Sequence, residues 1–123
     1  MNKLVEALEF AVDQGTSLTI VFIALMFTDY ITGTMAAWSQ RSLSSKSGRI
    51  GIFKKITICL IIALMKLIDW LIAGNSGLLF TSVVLFYCTN EAISILENCQ
   101  SLKVALPDRW LETLRSLLSS HQS

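Results

Sequence analysis

The sequence predicts an all-α membrane protein with three transmembrane helices and a short amphipathic helix at each end. Apolar residues make up 53% of the 123 residues and charged residues only 15%. A water-soluble domain of this length needs more charge to cover its surface. The apolar residues also fall into three runs, each close to the roughly 20 residues that span a bilayer as a helix.

The first predicted element is an amphipathic helix over residues 1–14. Its apolar residues recur at helical spacing, whereas Glu6, Glu9 and Asp13 lie on other faces. A helix of this kind lies along a membrane surface. The segment Gly15–Ser17 is predicted to break it.

The first predicted transmembrane helix covers residues 16–38 and contains Asp29. A cleaved signal peptide is the rival interpretation, but such peptides begin with positive charge and lack an acid in their apolar region. Residues 39–55 follow and are rich in serine and glycine, so we predict a solvated loop. Its five cations are Arg41, Lys46, Arg49, Lys54 and Lys55.

Two further transmembrane helices are predicted, over residues 56–73 and 78–96. The turn between them has the composition Gly-Asn-Ser-Gly. Because this connection is so short, the two helices are expected to form an antiparallel hairpin.

A second amphipathic helix is predicted over residues 107–118. Pro107 suits the first turn of a helix, and apolar residues then recur at helical spacing among charged ones. The tail, residues 119–123, is predicted to be disordered.

The distribution of basic residues predicts the orientation in the membrane. Lysine and arginine concentrate in loops on the cytoplasmic side, and the 39–55 loop carries five of them whereas the 74–77 turn carries none. We therefore expect the N-terminus outside, the basic loop in the cytoplasm, the 74–77 turn outside and the C-terminus in the cytoplasm. The final location of the N-terminal helix is left open.

Four charged residues lie inside the predicted spans: Asp29, Lys66, Asp69 and Glu91. Asp29 is roughly 16 Å deep and Glu91 about 20 Å deep at 1.5 Å per residue. A lone charge at such a depth costs about 2.5–3.5 kcal/mol even on the lenient insertion scale. These side chains should therefore face each other, a neighbouring subunit or water.

Spacing assigns partners to these residues. Lys66 and Asp69 are three apart and are expected to pair within one helix. Gly33 and Ala37 form a small-x-x-x-small pattern on the face of Asp29, which allows another helix to approach closely. In the third span a polar stripe is formed by Glu91, Ser94 and Asn98, and widened by Asn90 and Glu97.

Two interpretations of these polar residues remain open. They either hold one small bundle together, or they drive oligomerisation and line a water-filled lesion. The expected interface or pore-lining set is Asp29, Gly33, Ala37, Lys66, Asp69, Asn90, Glu91, Ser94 and Asn98.

No enzyme activity, cofactor or metal is expected. The sequence has no Ser-His-acid set, no metal-ligand cluster and no Gly-rich phosphate loop. Its three cysteines form no C-x-x-C pair, and no basic domain suggests nucleic acid. The cations of the 39–55 loop are expected to contact lipid head groups.

An ordered set of elements resembles the phage-lysis and toxin-secretion holins of the clostridial toxin-export type. The set begins with Asp29-x-x-x-Gly33 and Ser47-Gly48-Arg49-x-Gly51, and it ends with Leu106-Pro107-x-x-Trp110-Leu111. Asp69 and the run from Asn90 to Asn98 lie between. The resemblance covers roughly residues 25–118. One departure is that family members often have a glycine shortly before the Leu-Pro pair, which is absent here.

The resemblance implies a small protein of the bacterial cytoplasmic membrane that accumulates and then opens large lesions at a set time. Implied partners are membrane lipids, other copies of the chain, an endolysin or large toxin as cargo, and an antiholin as a regulator. Two alternatives stay open: a small ion channel or transporter subunit, and an antiholin-like membrane regulator.

Overall fold

The computed structural model describes residues 2–72 and 76–122, which form four α-helices and no strand. The helices are α1 (Asn2–Ser39), α2 (Ser45–Leu71), α3 (Leu78–Ser101) and α4 (Asp108–Gln122). The prediction of an all-helical protein is confirmed.

Two stretches of these helices are long and apolar enough to cross a membrane: Ser17–Ser39 within α1, and α3. By length and composition the prediction of three spans therefore holds for two helices only. The helix α2 does not have a long enough apolar stretch to count as a span. It ends at Leu71, and its last 18 residues include Lys54, Lys55, Lys66 and Asp69. Only 11% and 22% of the residues in the most apolar windows of the two candidate spans are buried in the isolated chain.

The predicted break at Gly15–Ser17 is wrong, because α1 continues through it. One glycine inside a helix costs only about 1 kcal/mol relative to alanine. The residues on both sides of Gly15 are compatible with a helix, and a single such penalty does not end it. The predicted helix 1–14 and the first span are thus parts of one helix.

The predicted loop 39–55 is also mostly wrong, because α2 begins at Ser45. Ser44 has extended backbone angles, and its hydroxyl accepts a hydrogen bond from the Ser47 amide at 3.1 Å. This is the N-cap arrangement that satisfies a free amide of the first turn. The glycines in this segment suggested a loop, but the cap starts a helix.

The remaining boundaries differ by a few residues. The predicted turn 74–77 lies partly outside the described residues, and α3 continues past residue 96 to Ser101. The tail that was predicted to be disordered from residue 119 is helical as far as Gln122.

The helix α3 packs against each of the other three helices. A small apolar core joins Phe22 of α1 to Phe80 and Val84 at the start of α3, whereas Gly33 lies against Asn98 near the end of α3. The helices α1 and α3 therefore run in the same direction, and α2 runs back between them in sequence. We call the end where α2 leads into α3 the hairpin end, and the end with residues 40–44 the loop end.

Large apolar side chains cover the outside of the bundle. Leu60, Trp70 and Trp38 are 65%, 65% and 73% exposed, whereas Asp69 is 0% and Glu91 3% exposed. Water-soluble proteins rarely bury acids in this way and rarely show apolar surface of this extent. This distribution suits lipid as the surrounding solvent.

Asp69 caps the first turn of α3 from the neighbouring helix. Its carboxylate oxygens accept hydrogen bonds from the amides of Leu79 at 3.1 Å and Phe80 at 2.7 Å. The N-cap residue of α3 is Gly77, with φ +79° and no side chain to do this. The Leu78 amide donates to the Ser76 hydroxyl at 3.3 Å, so the free amides at this helix start are satisfied.

The turns that follow α1 and α3 each contain a basic residue in the left-handed conformation. Arg41 has φ +56° and Lys103 has φ +63°, and the Val104 amide reaches back to the Cys99 carbonyl at 3.0 Å. This is a Schellman ending, in which glycine is the usual residue because a Cβ is unfavourable there. Lys103 thus takes the conformation for which a glycine before Leu106-Pro107 would be suited.

Replacing Asp69 with alanine should loosen the hairpin end. Two buried amides would lose their acceptor, and each unsatisfied group costs about 1–3 kcal/mol. We expect Asp69→Ala to lower the free energy of unfolding by at least about 2 kcal/mol, measured by helicity during denaturation in mixed micelles. Asp69→Asn keeps one acceptor oxygen and should lose less. Equal stability of Asp69→Ala and the parent chain would contradict the capping role.

Replacing Lys103 with glycine should stabilise the chain. The left-handed conformation costs a non-glycine residue roughly 1–2 kcal/mol, part of which is offset by the greater freedom of unfolded glycine. The same denaturation experiment should show a gain of about 1 kcal/mol. The control Ser101→Gly, inside α3, should instead lose stability; a loss in both variants would refute the strain.

Candidate functional site

A lysine joins two acids from different helices inside the loop half of the bundle. The Nζ atom of Lys55 in α2 lies 2.8 Å from Oδ2 of Asp29 in α1 and 3.0 Å from Oε2 of Glu91 in α3. The three side chains are 20%, 14% and 4% exposed, in that order. One ammonium group therefore holds all three long helices together.

The register in which α2 packs against α3 explains why Lys55 reaches the two acids. Lys66 lies over Phe80, and Lys55 reaches Glu91, so eleven residues back along α2 correspond to eleven forward along α3. An antiparallel helix pair keeps such a register because both helices rise 1.5 Å per residue. The early start of α2 at Ser45 therefore brings Lys55 to the level of the two acids.

Asn98 extends the polar cluster toward the loop end. Its Nδ2 lies 3.0 Å from Oδ1 of Asp29, 3.2 Å from the Asp29 carbonyl oxygen and 3.0 Å from the Thr32 hydroxyl. These bonds also satisfy a carbonyl oxygen of α1. Asp29 is thus held by partners from both α2 and α3.

Gly33 permits the close approach of α1 and α3 at this level. A Cβ atom built on Gly33 would lie 3.4 Å from the Asn98 amide nitrogen, so Asn98 packs directly against this glycine. At Gly33 the predicted contact face is therefore occupied within one chain, whereas Ala37 lines a cavity. Ala36 is more deeply buried than Ala37, at 6% exposure.

A cavity of about 660 Å³ opens beside this cluster, between the end of α1, the start of α2 and α3. Five predicted residues line it: Asp29, Gly33, Ala37, Ser94 and Asn98. Arg49 and several serines line its loop-end side. Polar groups of Asp29, Ser94 and Asn98 therefore border an open space beside the Lys55 cluster.

Other predicted residues lie elsewhere. Lys66 is exposed, with its Nζ atom 4.8 Å from the centre of the Phe80 ring. The predicted Lys66–Asp69 ion pair is absent from the described residues, because Asp69 caps α3 instead. Asn90 is exposed on the outer face of α3.

The basic residues separate into two groups. Arg41, Lys46, Arg49 and Lys54 are exposed, whereas Lys55 is turned into the bundle. Sequence reasoning missed the role of Lys55 because it was assigned to a loop. The Ser44 cap was the signal that could have placed it three turns into a helix.

The helix α4 docks on the loop end of α3. Leu111 is 6% exposed, and Arg115 lies 3.0 Å from Glu97. This ion pair is more than half exposed and contributes little, as surface pairs generally do. The apolar contact of Leu111 is therefore the main attachment.

Comparisons with known proteins follow this geometry. The family model described as the bacteriophage holin family matches residues 6–119. An uncharacterised 14.9 kDa protein of Clostridium perfringens is 34% identical over 98 residues, covering 80% of this chain and 74% of the relative. An uncharacterised protein of Listeria monocytogenes is 39% identical over 101 residues, covering 82% and 69%.

A phage protein is also similar. The probable holin of Bacillus phage phi105 is 34% identical over 87 residues, covering 71% of this chain and 64% of the relative. No solved structure matches the chain. Because the family match covers nearly the whole length, including all four helices, the chain belongs to the bacteriophage holin family.

Proposed function

We propose that this protein is a holin that waits in the bacterial cytoplasmic membrane as a closed bundle and then assembles into lesions. Family membership supports the holin role. The observation that carries the closed bundle is the Lys55 cluster, in which one ammonium group of α2 forms ion pairs with an acid of α1 and an acid of α3. The cargo released would be an endolysin or a large toxin.

We further propose that α2 crosses the membrane together with the two candidate spans. Its charges make it unsuited to lipid alone, but Lys55 and Asp69 both turn toward α3 and are bonded there. Most of its exposed side chains are large and apolar: Phe53, Ile56, Leu60, Leu64, Leu67 and Leu71. Lys54 and Lys66 are also exposed, and the ammonium of Lys66 lies over the Phe80 ring of α3. Packing on α3 therefore converts α2 into a helix that lipid tolerates.

The exposed cations support an orientation. Arg41, Lys46 and Arg49 lie in the residues between α1 and α2 and in the first turns of α2, and Lys54 is exposed farther along α2; cytoplasmic loops carry such residues. We therefore propose that the loop end and α4 lie in the cytoplasm and the N-terminus outside. Head groups of anionic lipids are the expected contacts of these cations.

In this orientation the Lys55 cluster lies within the hydrocarbon core of the membrane. Glu91 is about 20 Å from the start of α3 at 1.5 Å per residue, within a hydrocarbon core about 30 Å thick. Two carboxylates and one ammonium leave a formal charge of −1 when all three are ionised. This surplus makes the closed bundle less stable than a balanced pair would be, and it favours a state with access to water.

Opening would expose this cluster to water as chains assemble. The open cavity beside Asp29 and Asn98 supports this step, because two polar residues of the cluster already border a space outside the packed interior. The same residues would then line a wet surface, so the two interpretations of the polar stripe describe two states of one protein.

The holin proposal is tested by inducing the chain in bacteria and following membrane potential and release of a cytoplasmic enzyme. Sudden loss of potential with release of whole protein supports a holin. Release of ions alone would favour a small channel instead. Sustained potential at high expression would contradict both, and an antiholin-like regulator would then be tested by co-expression with a holin.

Variants of the cluster should shift the time of lysis in opposite directions. Lys55→Met leaves two acids without their cation, a loss of about 3–5 kcal/mol for a buried pair, so lysis should begin earlier. Glu91→Gln removes the surplus charge and keeps Lys55 with Asp29, so lysis should begin later. Onset is read from culture turbidity at equal membrane levels of each variant.

The neighbouring Lys54 provides a matched control. Its side chain is exposed, and it has no ion pair among the described residues. Lys54→Met removes the same charge one position away and should leave the onset close to that of the parent. Identical onset for Lys55→Met and Lys54→Met would show that the cluster does not set the closed state.

A further inference from the structure

Asn90 presents an amide on the outside of the bundle, within a candidate span. It is about 18 Å from the start of α3 and about 16 Å from its end at 1.5 Å per residue. Adjacent helical residues point about 100° apart, so Asn90 faces outward while Glu91 is buried. An exposed amide at this depth would face hydrocarbon.

Several other polar groups at this level have partners. Asp29, Glu91 and Asn98 bond to one another's helices or to Lys55, and the Thr89 hydroxyl donates to the Leu85 carbonyl of its own helix at 2.9 Å. Among the described residues nothing bonds to the side chain of Asn90. Lipid tails cannot supply a partner for its donors or its acceptor.

We propose that Asn90 is the contact at which a second copy of this chain packs, α3 against α3. This inference rests on the proposed function, which requires assembly, and it names the surface. Copies inserted in one orientation are related by rotation about the membrane normal, so identical residues meet at the same depth. A charged residue would meet its own charge there, whereas an amide both donates and accepts.

The surroundings of Asn90 fit a helix partner. Val83 and Phe86 lie on the same face toward the hairpin end and are half-buried. The rings of Phe86 and Tyr87 pack edge to face, with their centres 5.3 Å apart. Toward the loop end, Glu97 on this face is held by Arg115 of α4. The free part of the face thus runs from Leu79 to Asn90.

The inward-facing residues do not compete for this role in the closed state. Gly33 is already in contact with Asn98, and Asp29 and Glu91 share Lys55. A first contact between closed bundles must therefore use an outward-facing polar group. The α3 pair formed in this way would precede the exposure of the Lys55 cluster.

The test measures self-association of the full chain in vesicles of bacterial phospholipid. Chains labelled with donor or acceptor dyes are mixed, and energy transfer is followed while lipid is added. We expect Asn90→Leu to weaken pairing roughly 3- to 20-fold, the range for hydrogen bonds between membrane helices. Leucine is better suited to a span than asparagine, so insertion should persist. Thr89→Val is the matched control and should pair like the parent.

Crosslinking provides an independent measurement. Asn90→Cys should give a disulfide-linked dimer in oxidised membranes well above that of the parent chain, whose native cysteines set the background. Leu85→Cys, exposed on another face of α3, should not. Equal crosslinking at both positions, or unchanged energy transfer in Asn90→Leu, would overturn the interface.

The failure of this inference is distinguishable from failure of the proposed function. If Asn90→Leu pairs and lyses cells like the parent, the interface is wrong and the holin role stands. If the parent chain does not permeabilise cells at all, the holin role fails whatever the vesicles show.

Discussion

The ammonium group of Lys55 is the point on which the bundle depends. It lies between Asp29 and Glu91, so it ties α2 to both candidate spans. Removing the lysine would leave two acids buried together, and removing both acids would leave a buried cation. A low-dielectric interior makes either outcome costly. The neighbouring Asn98 contact and the tight approach at Gly33 depend on the same alignment of α1 with α3.

Polarity is distributed differently in the two halves of this bundle. The hairpin half contains the apolar core of Phe22, Phe80 and Val84, with Asp69 used only to cap a helix. The loop half contains ion pairs, amide contacts and a cavity of about 660 Å³. In the opening proposed above, separation of the loop half would cost less, because the groups there already have an affinity for water.

Several residues that the sequence singled out lie close together within one chain, but their partners differ from those expected. Asp29 and Glu91 share Lys55, Asn98 donates to Asp29, and Ser94 lines the same cavity as Asp29. Their place in a pore or an oligomer interface stays a prediction. Lys66 was expected at their level because α2 was expected to begin at residue 56. The cap at Ser44 starts the helix earlier and puts Lys55 there instead. Lys55 and Lys66 are eleven residues apart, about three helical turns, so they lie on the same face of α2 at different depths. Sequence spacing within α2 identifies the face but does not reveal which of the two lysines lies at the depth of the acids.

The sequence by itself determined the solvent and the class of fold. Long apolar runs with few charges require lipid, and helices follow because a backbone in lipid must satisfy its own hydrogen bonds. Only the tertiary structure decided which charges neutralise one another and which polar group stays outside. Pairing depends on the relative depth of three helices, set by where each begins and how closely α1 approaches α3. Local spacing contains no information on that depth, so Lys55 and Asn90 acquire their separate roles only in the assembled bundle.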